Sequence, residues 1–456
     1  LYDDNYLYVA IRAFDNEPEK IVRRLSRRDS FQGDWVEIAF DSYHDFNTGY
    51  SFTANAAGVK NDELYTNDGL GHDRTWDPIW FLKTSIDNDG WIAEIKIPFT
   101  QLRFSNQSEQ IWGLQVKRYV YRKEERSLWQ HISNDQAGYV SRFGELHGLK
   151  NIQPKRQFDL TPYAVASYET FEAEEENPFT DGKESLKRIG LDAKVGLTNN
   201  LTLDLTINPD FGQVEADPSE VNLSAFESYF QEKRMFFIEG RNIYSFPLRL
   251  GDGRDAKDNL FYSRRIGRRP SYSPDSYSYI DSPKNTSILG AAKITGRTKN
   301  GISIGILESV TNHEQARYTD GSNSIKDINV EPLTNYFVAR IEKDFNKGNT
   351  KIGGMITSTN RKITEDHLKI LPKAAYTGGI NIEHAWANKK YGFGFKLLGS
   401  SIQGDPLSIA ELQTASSRYY QRPDATHLEY NPSLTSLNGN AGSAWIGKLS
   451  NSGWSY

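Results

Sequence analysis

The chain has 456 residues, enough for two or three domains, with no cysteine and a formal net charge of −5. The lack of cysteine excludes disulfides, zinc ribbons and thiolate nucleophiles, and the mild acidity excludes a basic nucleic-acid footprint, so no nucleic-acid partner is expected. Mean hydropathy is −0.64, and no run reaches the roughly 18 apolar residues of a membrane helix. A β-barrel can still cross a bilayer with such a composition, because only alternate residues face lipid. The chain opens inside a strand pattern without an initiator Met and stops just after a turn signal, so it reads as a fragment cut at both ends.

Residues 1–152 predict an all-β domain. Leu7, Val9 and Ile11 alternate with Tyr6, Tyr8 and Ala10. Asp34–Asp41, Gly49–Gly58, Ile79–Ile86, Gly90–Phe99 and Ile111–Arg122 repeat the pattern. Turn clusters such as Asp87-Asn88-Asp89-Gly90 separate them. Short strands with regular turns predict a β-sandwich.

At these residues the chain resembles family 9 carbohydrate-binding modules. YDDNYLYVAIRAFD, DWVEIAFDSYHD, WDPIW and above all GWIAEIKIPFTQLRF carry the likeness, with the module's opening strand missing. The resemblance implies a sandwich that binds sugars through stacked aromatic rings. A pyranose offers an apolar C–H face to indole while its hydroxyls need in-plane donors and acceptors. Trp35, Trp80, Trp91 and Trp112 lie in strand patterns and are expected in the core. Trp76, in GHDRTWDP, and Trp129, after the charged stretch RKEERSL, are the candidate sugar platforms. Arg118, Arg122 and Gln130 are candidate hydroxyl partners. Asp41 and Asp45, in an Asp-rich turn, are candidate oxygen ligands for Ca²⁺. No histidine spacing suggests zinc.

Gly148–Gln157 reads as a linker, and residues 153–456 then fall into ten alternating strands and the start of another. Thr198–Asn200, Thr298–Gly301, Asn346–Asn349 and Ala387–Lys390 are tight turns. The connections between them are long, and the two kinds alternate without a miss. That pattern predicts a transmembrane antiparallel barrel with its C-terminal strands missing. Ile189, Leu191, Ala193 and Val195, with Ile302, Ile304 and Ile306, would face lipid, and Arg188, Asp192 and Lys194 a watery lumen. Outer-membrane lipid is therefore an expected partner, and short periplasmic turns would place the N-terminal domain in the periplasm.

After the strand Leu201–Ile207 the alternation stops, and it resumes only beyond Lys284. The insertion 208–284 is expected as a plug or lumen lining in which its many acids and arginines pair. Val221–Arg234 predicts a short helix with Leu223, Phe226 and Phe230 on one face. NPDFGQVEADPSEVNLSAFESYFQEKRMFFIEG, FYSRRIGRRP and ILGAAKITGRT resemble an outer-membrane barrel family of unknown function, common in Bacteroidetes-type bacteria, whose barrel usually follows a family 9 module. Met235 departs from the Pro expected there.

The expected fold class is thus all-β: a β-sandwich followed by an incomplete transmembrane β-barrel with a long ordered insertion. The expected function is binding or handling of glycans at the cell envelope, with a saccharide ligand and other envelope proteins as candidate partners. A glycoside hydrolase and a structural component of the outer membrane without sugar binding stay open beside it. No nucleophile motif or acid pair supports the hydrolase.

Overall fold

The computed structural model describes residues 1–456 except 31, 75, 134, 154–157, 199, 210–228, 231, 249–258, 275, 299, 321–323, 347 and 451–456. The protein is nearly all-β. At the N-terminus a three-stranded antiparallel sheet, in the order Tyr6–Phe14, Gly90–Pro98, Phe81–Asp87, lies on a seven-stranded one. The larger sheet runs Gly144–Lys150, Glu109–Val120, Trp35–Asp41, Gly49–Asn55, Lys60–Thr66, Gly71–Asp73, with Glu125–Leu128 added beside Glu109–Val120. Ile38, Phe40, Phe52 and Trp112 of the larger sheet, with Trp80 just ahead of Phe81–Asp87, meet Leu7, Ile95 and Ile97 of the smaller, while the strand Gly49–Asn55 is buried on both faces. The hairpin 87–90 turns where expected. Gly90 sits at φ 136°, and a Cβ there would meet the Ala13 carbonyl oxygen at 2.1 Å.

Two expectations change here. Trp91, Trp80 and Trp112 are buried, but Trp35 is half-buried and on the other face of its strand, stacked on Tyr119 with ring centroids 5.5 Å apart. Its neighbours Val36 and Ile38 take the core positions, and side chains alternate. The expected linker also begins as structure, since Gly148 to Lys150 finish a strand of the seven-stranded sheet.

The second part is a ten-stranded antiparallel sheet, with neighbours in chain order from Phe158–Thr170 to Ser436–Lys448. The first and last strands each have one neighbour, so the sheet is an open path among the described residues. Its connections at one end are short, four residues each between strands, at 197–200, 298–301, 346–349 and 387–390. The connections at the other end are long and hold structure that periodicity did not show. Glu314–Thr319 and Ile325–Glu331 form a hairpin completed by Tyr279–Asp281. Helix Pro406–Thr414 starts with Asp405 accepting from the Leu407 amide and proline in its first turn.

The faces of this sheet are inverted relative to a water-soluble protein. One register line runs Lys194, Asp204, Lys293, Leu307, Val338, and the same face carries Arg340, Lys351, Asn381 and Lys396. Lys293 is 1% exposed, and Arg340 and Lys396 6%. The opposite face carries Leu205, Ile306, Ile341, Ile356, Ile380 and Leu397, all exposed, with Ile189 and Ile446 at 76%.

Residues 235–248 of the insertion lie on the inner, polar face. Helix Met235–Ile238 leads into residues 239–248, and Phe237, Tyr244 and Phe246 pack on Ile288, Leu307, Val338 and Met355 of the sheet. Glycines let it approach. A Cβ at Gly305 would meet Ile243 and Tyr244 at 2.8 and 2.9 Å, and one at Gly379 would meet Phe246 at 3.0 Å. Lys293 Nζ donates to the carbonyls of Phe236 (2.6 Å) and Glu239 (2.8 Å), and Lys396 Nζ to that of Pro247 (2.8 Å). Most of the expected helix Val221–Arg234 lies outside the described residues.

Candidate functional site

The loops at one end of the sandwich meet the tight-turn end of the ten-stranded sheet. Arg297, closing the strand Ile288–Arg297, reaches across the intervening strand Ile302–Thr311 to bond Asp344 of Thr334–Phe345 and lies 2.9 Å from the Asp45 carboxylate of the sandwich. Lys389 pairs with Asp68. Lys351 Nζ donates to Asn67 at 2.7 Å, Arg103 to the Thr202 hydroxyl at 2.9 Å, and the Tyr43 hydroxyl to Asn200 at 3.1 Å. Arg142 donates to both the carbonyl and the side chain of Asn388. Every contact in this set is polar, and each reaches a tight turn or the strand end beside it.

Asp41 and Asp45 belong to this junction. The Asp41 carboxylate accepts from the amides of Asp45 and Phe46, at 3.1 and 2.8 Å. Asp45 accepts from Asn47 and Thr48 and faces Arg297. Burial, and then the nearby Asp45 charge, push the Asp41 carboxyl well above its ordinary range. Three of these four oxygens accept from backbone amides, and the fourth, Asp45 Oδ2, faces the Arg297 guanidinium, which stands where a cation would. The turn therefore does not fit Ca²⁺, and no group of three or more His, Cys, Asp or Glu arranged to hold a metal occurs among the described residues.

Beneath the junction the sandwich loops, the inner face of the sheet and residues 239–247 enclose a chamber of about 730 Å³. Trp76 lines it. Its ring is half-buried, edge-on to Tyr50 and Phe52 at centroid distances of 5.0 and 5.4 Å. Gln101, Asn242 and Ser245 add amide and hydroxyl groups. Three bases on the wall come with acid partners, Lys194 2.5 Å from Glu239, Arg340 2.7 Å from Glu342 and Lys396 3.9 Å from Glu383, whereas Arg103 and Lys351 there bond neutral groups.

The other expected sugar residues lie elsewhere. Trp129 is 58% exposed, at the margin of the seven-stranded sheet. Its ring covers Gly144, where a Cβ would meet it at 2.5 Å and the Gln130 side-chain oxygen at 3.6 Å. Trp129 and Gln130 are therefore together, and the Gln130 backbone is fixed by two bonds to the Gln115 side chain. Register puts Arg118 on the Trp129 face, since Ser127 pairs with Arg118 and the Trp129 amide bonds Val116. Its guanidinium turns away, to the Phe14 carbonyl at 2.6 Å and Asp15 at 3.6 Å. Arg122 grips Asp15 with two bonds of 2.7 Å. That grip holds the Asp15 carboxyl down at about 2. The structure thus forms two groups, Trp129 with Gln130 and Trp76 in the chamber, and commits both arginines to Asp15.

Sequence reasoning missed the chamber because its walls come from three distant segments. It also missed the Trp35–Tyr119 stack, extended by Tyr121 at 6.2 Å. The alternation of Trp35 with Val36 was the available signal.

The model of the family described as a domain of unknown function, DUF5916, matches residues 154–406, more than half of the chain. The chain belongs to the DUF5916 family. Ahead of the DUF5916 region, residues 1–147 match the model described as carbohydrate family 9 binding domain-like. No curated protein matches this DUF5916 chain. Among solved structures it is similar to the crystal structure of the outer membrane channel DcaP of Acinetobacter baumannii. Identity is 7% over 90% of this chain and 95% of that one, with a TM-score of 0.18, too low to carry an argument.

Proposed function

We propose that this DUF5916 protein is an outer-membrane β-barrel that carries a glycan-binding sandwich on its tight-turn, periplasmic end. One observation carries the membrane reading: the inverted polarity of the ten-stranded sheet, with exposed isoleucines outside and buried lysine and arginine inside. An exposed apolar surface of this extent needs a partner, and a lipid bilayer supplies one that meets every strand alike. Alternating short and long connections support the same assignment, and the insertion 208–284 then serves as plug or lumen lining, with its residues 235–248 against the wall.

The family 9 likeness of residues 1–147 supports the glycan reading. Trp129 with Gln130 is the exposed platform, and Trp76 a second one. Detergent dependence tests the location. A compact monomer in aqueous solution without detergent would remove the membrane assignment. Glycan titration of the full chain in detergent, with Trp129→Ala beside it, tests the sandwich. Release of reducing ends from polysaccharide would replace binding by hydrolysis.

A further inference from the structure

We infer that the chamber between the sandwich and the inner face of the sheet is a binding site for a neutral oligosaccharide. This rests on the glycan reading above and adds a place and a ligand class. The volume, about 730 Å³, lies within the roughly 300–1,000 Å³ of small-molecule sites.

Chemistry sets the class. Lys194, Arg340, Lys389 and Lys396 are each already held by an acid, while Arg103 and Lys351 bond neutral groups, the Thr202 hydroxyl and the Asn67 side chain. An acidic ligand drawing on any of those four bases would have to break such a pair, at the desolvation cost of the group it leaves alone. A polyol need not. Its hydroxyls can donate to the spare lone pairs of the carboxylates and bond the amide and hydroxyl groups of Gln101, Asn242 and Ser245, while Trp76 offers an apolar ring for the sugar face. Mostly paired charges, uncharged hydrogen-bonding groups and two indoles, Trp76 and Trp445, together suit a neutral sugar and disfavour an acidic one.

Two of these residues, Asn242 and Ser245, belong to the insertion, and Trp76 to the sandwich. The site therefore exists only while the sandwich is docked. The test is calorimetric titration of the full chain in detergent with cellotriose, maltotriose and xylotriose, and with trigalacturonate as the acidic comparison. We expect at least one neutral trisaccharide to bind, and more tightly than trigalacturonate. Asn242→Trp and Ser245→Trp, which fill the chamber from the insertion side, should each weaken it at least tenfold. Two positions are used so that misfolding of one variant does not decide the matter. Binding that survives both fillings but falls with Trp129→Ala overturns the chamber and leaves the glycan reading standing. Tighter binding of trigalacturonate overturns the neutral class. No binding of any trisaccharide by the unaltered protein overturns the chamber and the glycan reading together, while detergent dependence still reports on the membrane alone.

Discussion

Arg297 lies between Asp45 of the sandwich and Asp344 of the ten-stranded sheet, so one guanidinium ties the two parts together. All three side chains are largely buried. Arg297→Ala leaves two carboxylates without their counter-charge, and breaking a buried pair costs about 3–5 kcal/mol. Hydrogen exchange should rise in residues 43–48 and at the tight turn 298–301 together. Raising salt should change little in the unaltered protein, since buried pairs are poorly screened.

Lys293 fastens the insertion through two backbone carbonyls and lies 3.4 Å from Asp204. Lys293→Met should release residues 235–240, seen as lost amide protection there, at a cost of about 3 kcal/mol or more. The pair Lys293→Met with Asp204→Leu should cost less than Lys293→Met alone, because no charge is stranded.

Gly305 is the floor under Tyr244, whose hydroxyl donates to Ile306 at 3.0 Å. Gly305→Leu should push Tyr244 off the wall and cost about 1–3 kcal/mol by overpacking. Tyr244→Phe keeps the ring in place and loses only the hydrogen bond, so denaturation midpoints should separate the two variants.

The sandwich should respond to pH in two separate windows. Asp15 is held at about 2 by Arg122, below its ordinary 3.8. Its stabilisation is complete above 3.8 and is lost as pH falls toward 2. Asp62 is raised to about 6 by burial, so the folded state holds its proton more firmly. Its contribution is fully present below 3.8 and is lost as pH rises through 6. Arg122→Ala should flatten the acid limb alone, and Asp62→Asn the slope above it, in denaturant midpoints followed by tryptophan fluorescence.

Ile380 stands exposed in the middle of the strand Ala374–Trp386. In a bilayer Ile380→Arg should cost about 2–4 kcal/mol and lower the yield of folding into lipid vesicles. On a water-facing surface the same change would be nearly neutral, and an unaffected yield would remove the lipid assignment.

Much of the fold was legible because strand periodicity is local. All ten strands of the second sheet were readable from alternation, with ends differing by a few residues, because one face had to be apolar and the other polar along each strand. The hairpin Glu314–Thr319 with Ile325–Glu331 and helix Pro406–Thr414 were not readable, since short elements in polar connections carry little periodicity. Lying in a strand pattern does not by itself bury Trp35, because Val36 and Ile38 hold the core face of that strand and Trp35 the opposite one.

The candidate site divides along the same line. Sequence by itself determined the kinds of parts: an all-β chain, its alternating connections, and the aromatic residues able to meet a sugar. Only the tertiary structure decided their company. It turned Arg118 and Arg122 toward Asp15, gave Asp45 an arginine in place of a metal, and brought Trp76 to the same chamber as Asn242. Periodicity reports which way a side chain points from its own strand. Which distant group meets it depends on how separate segments dock, and that is set by pairings across hundreds of residues that no local pattern records.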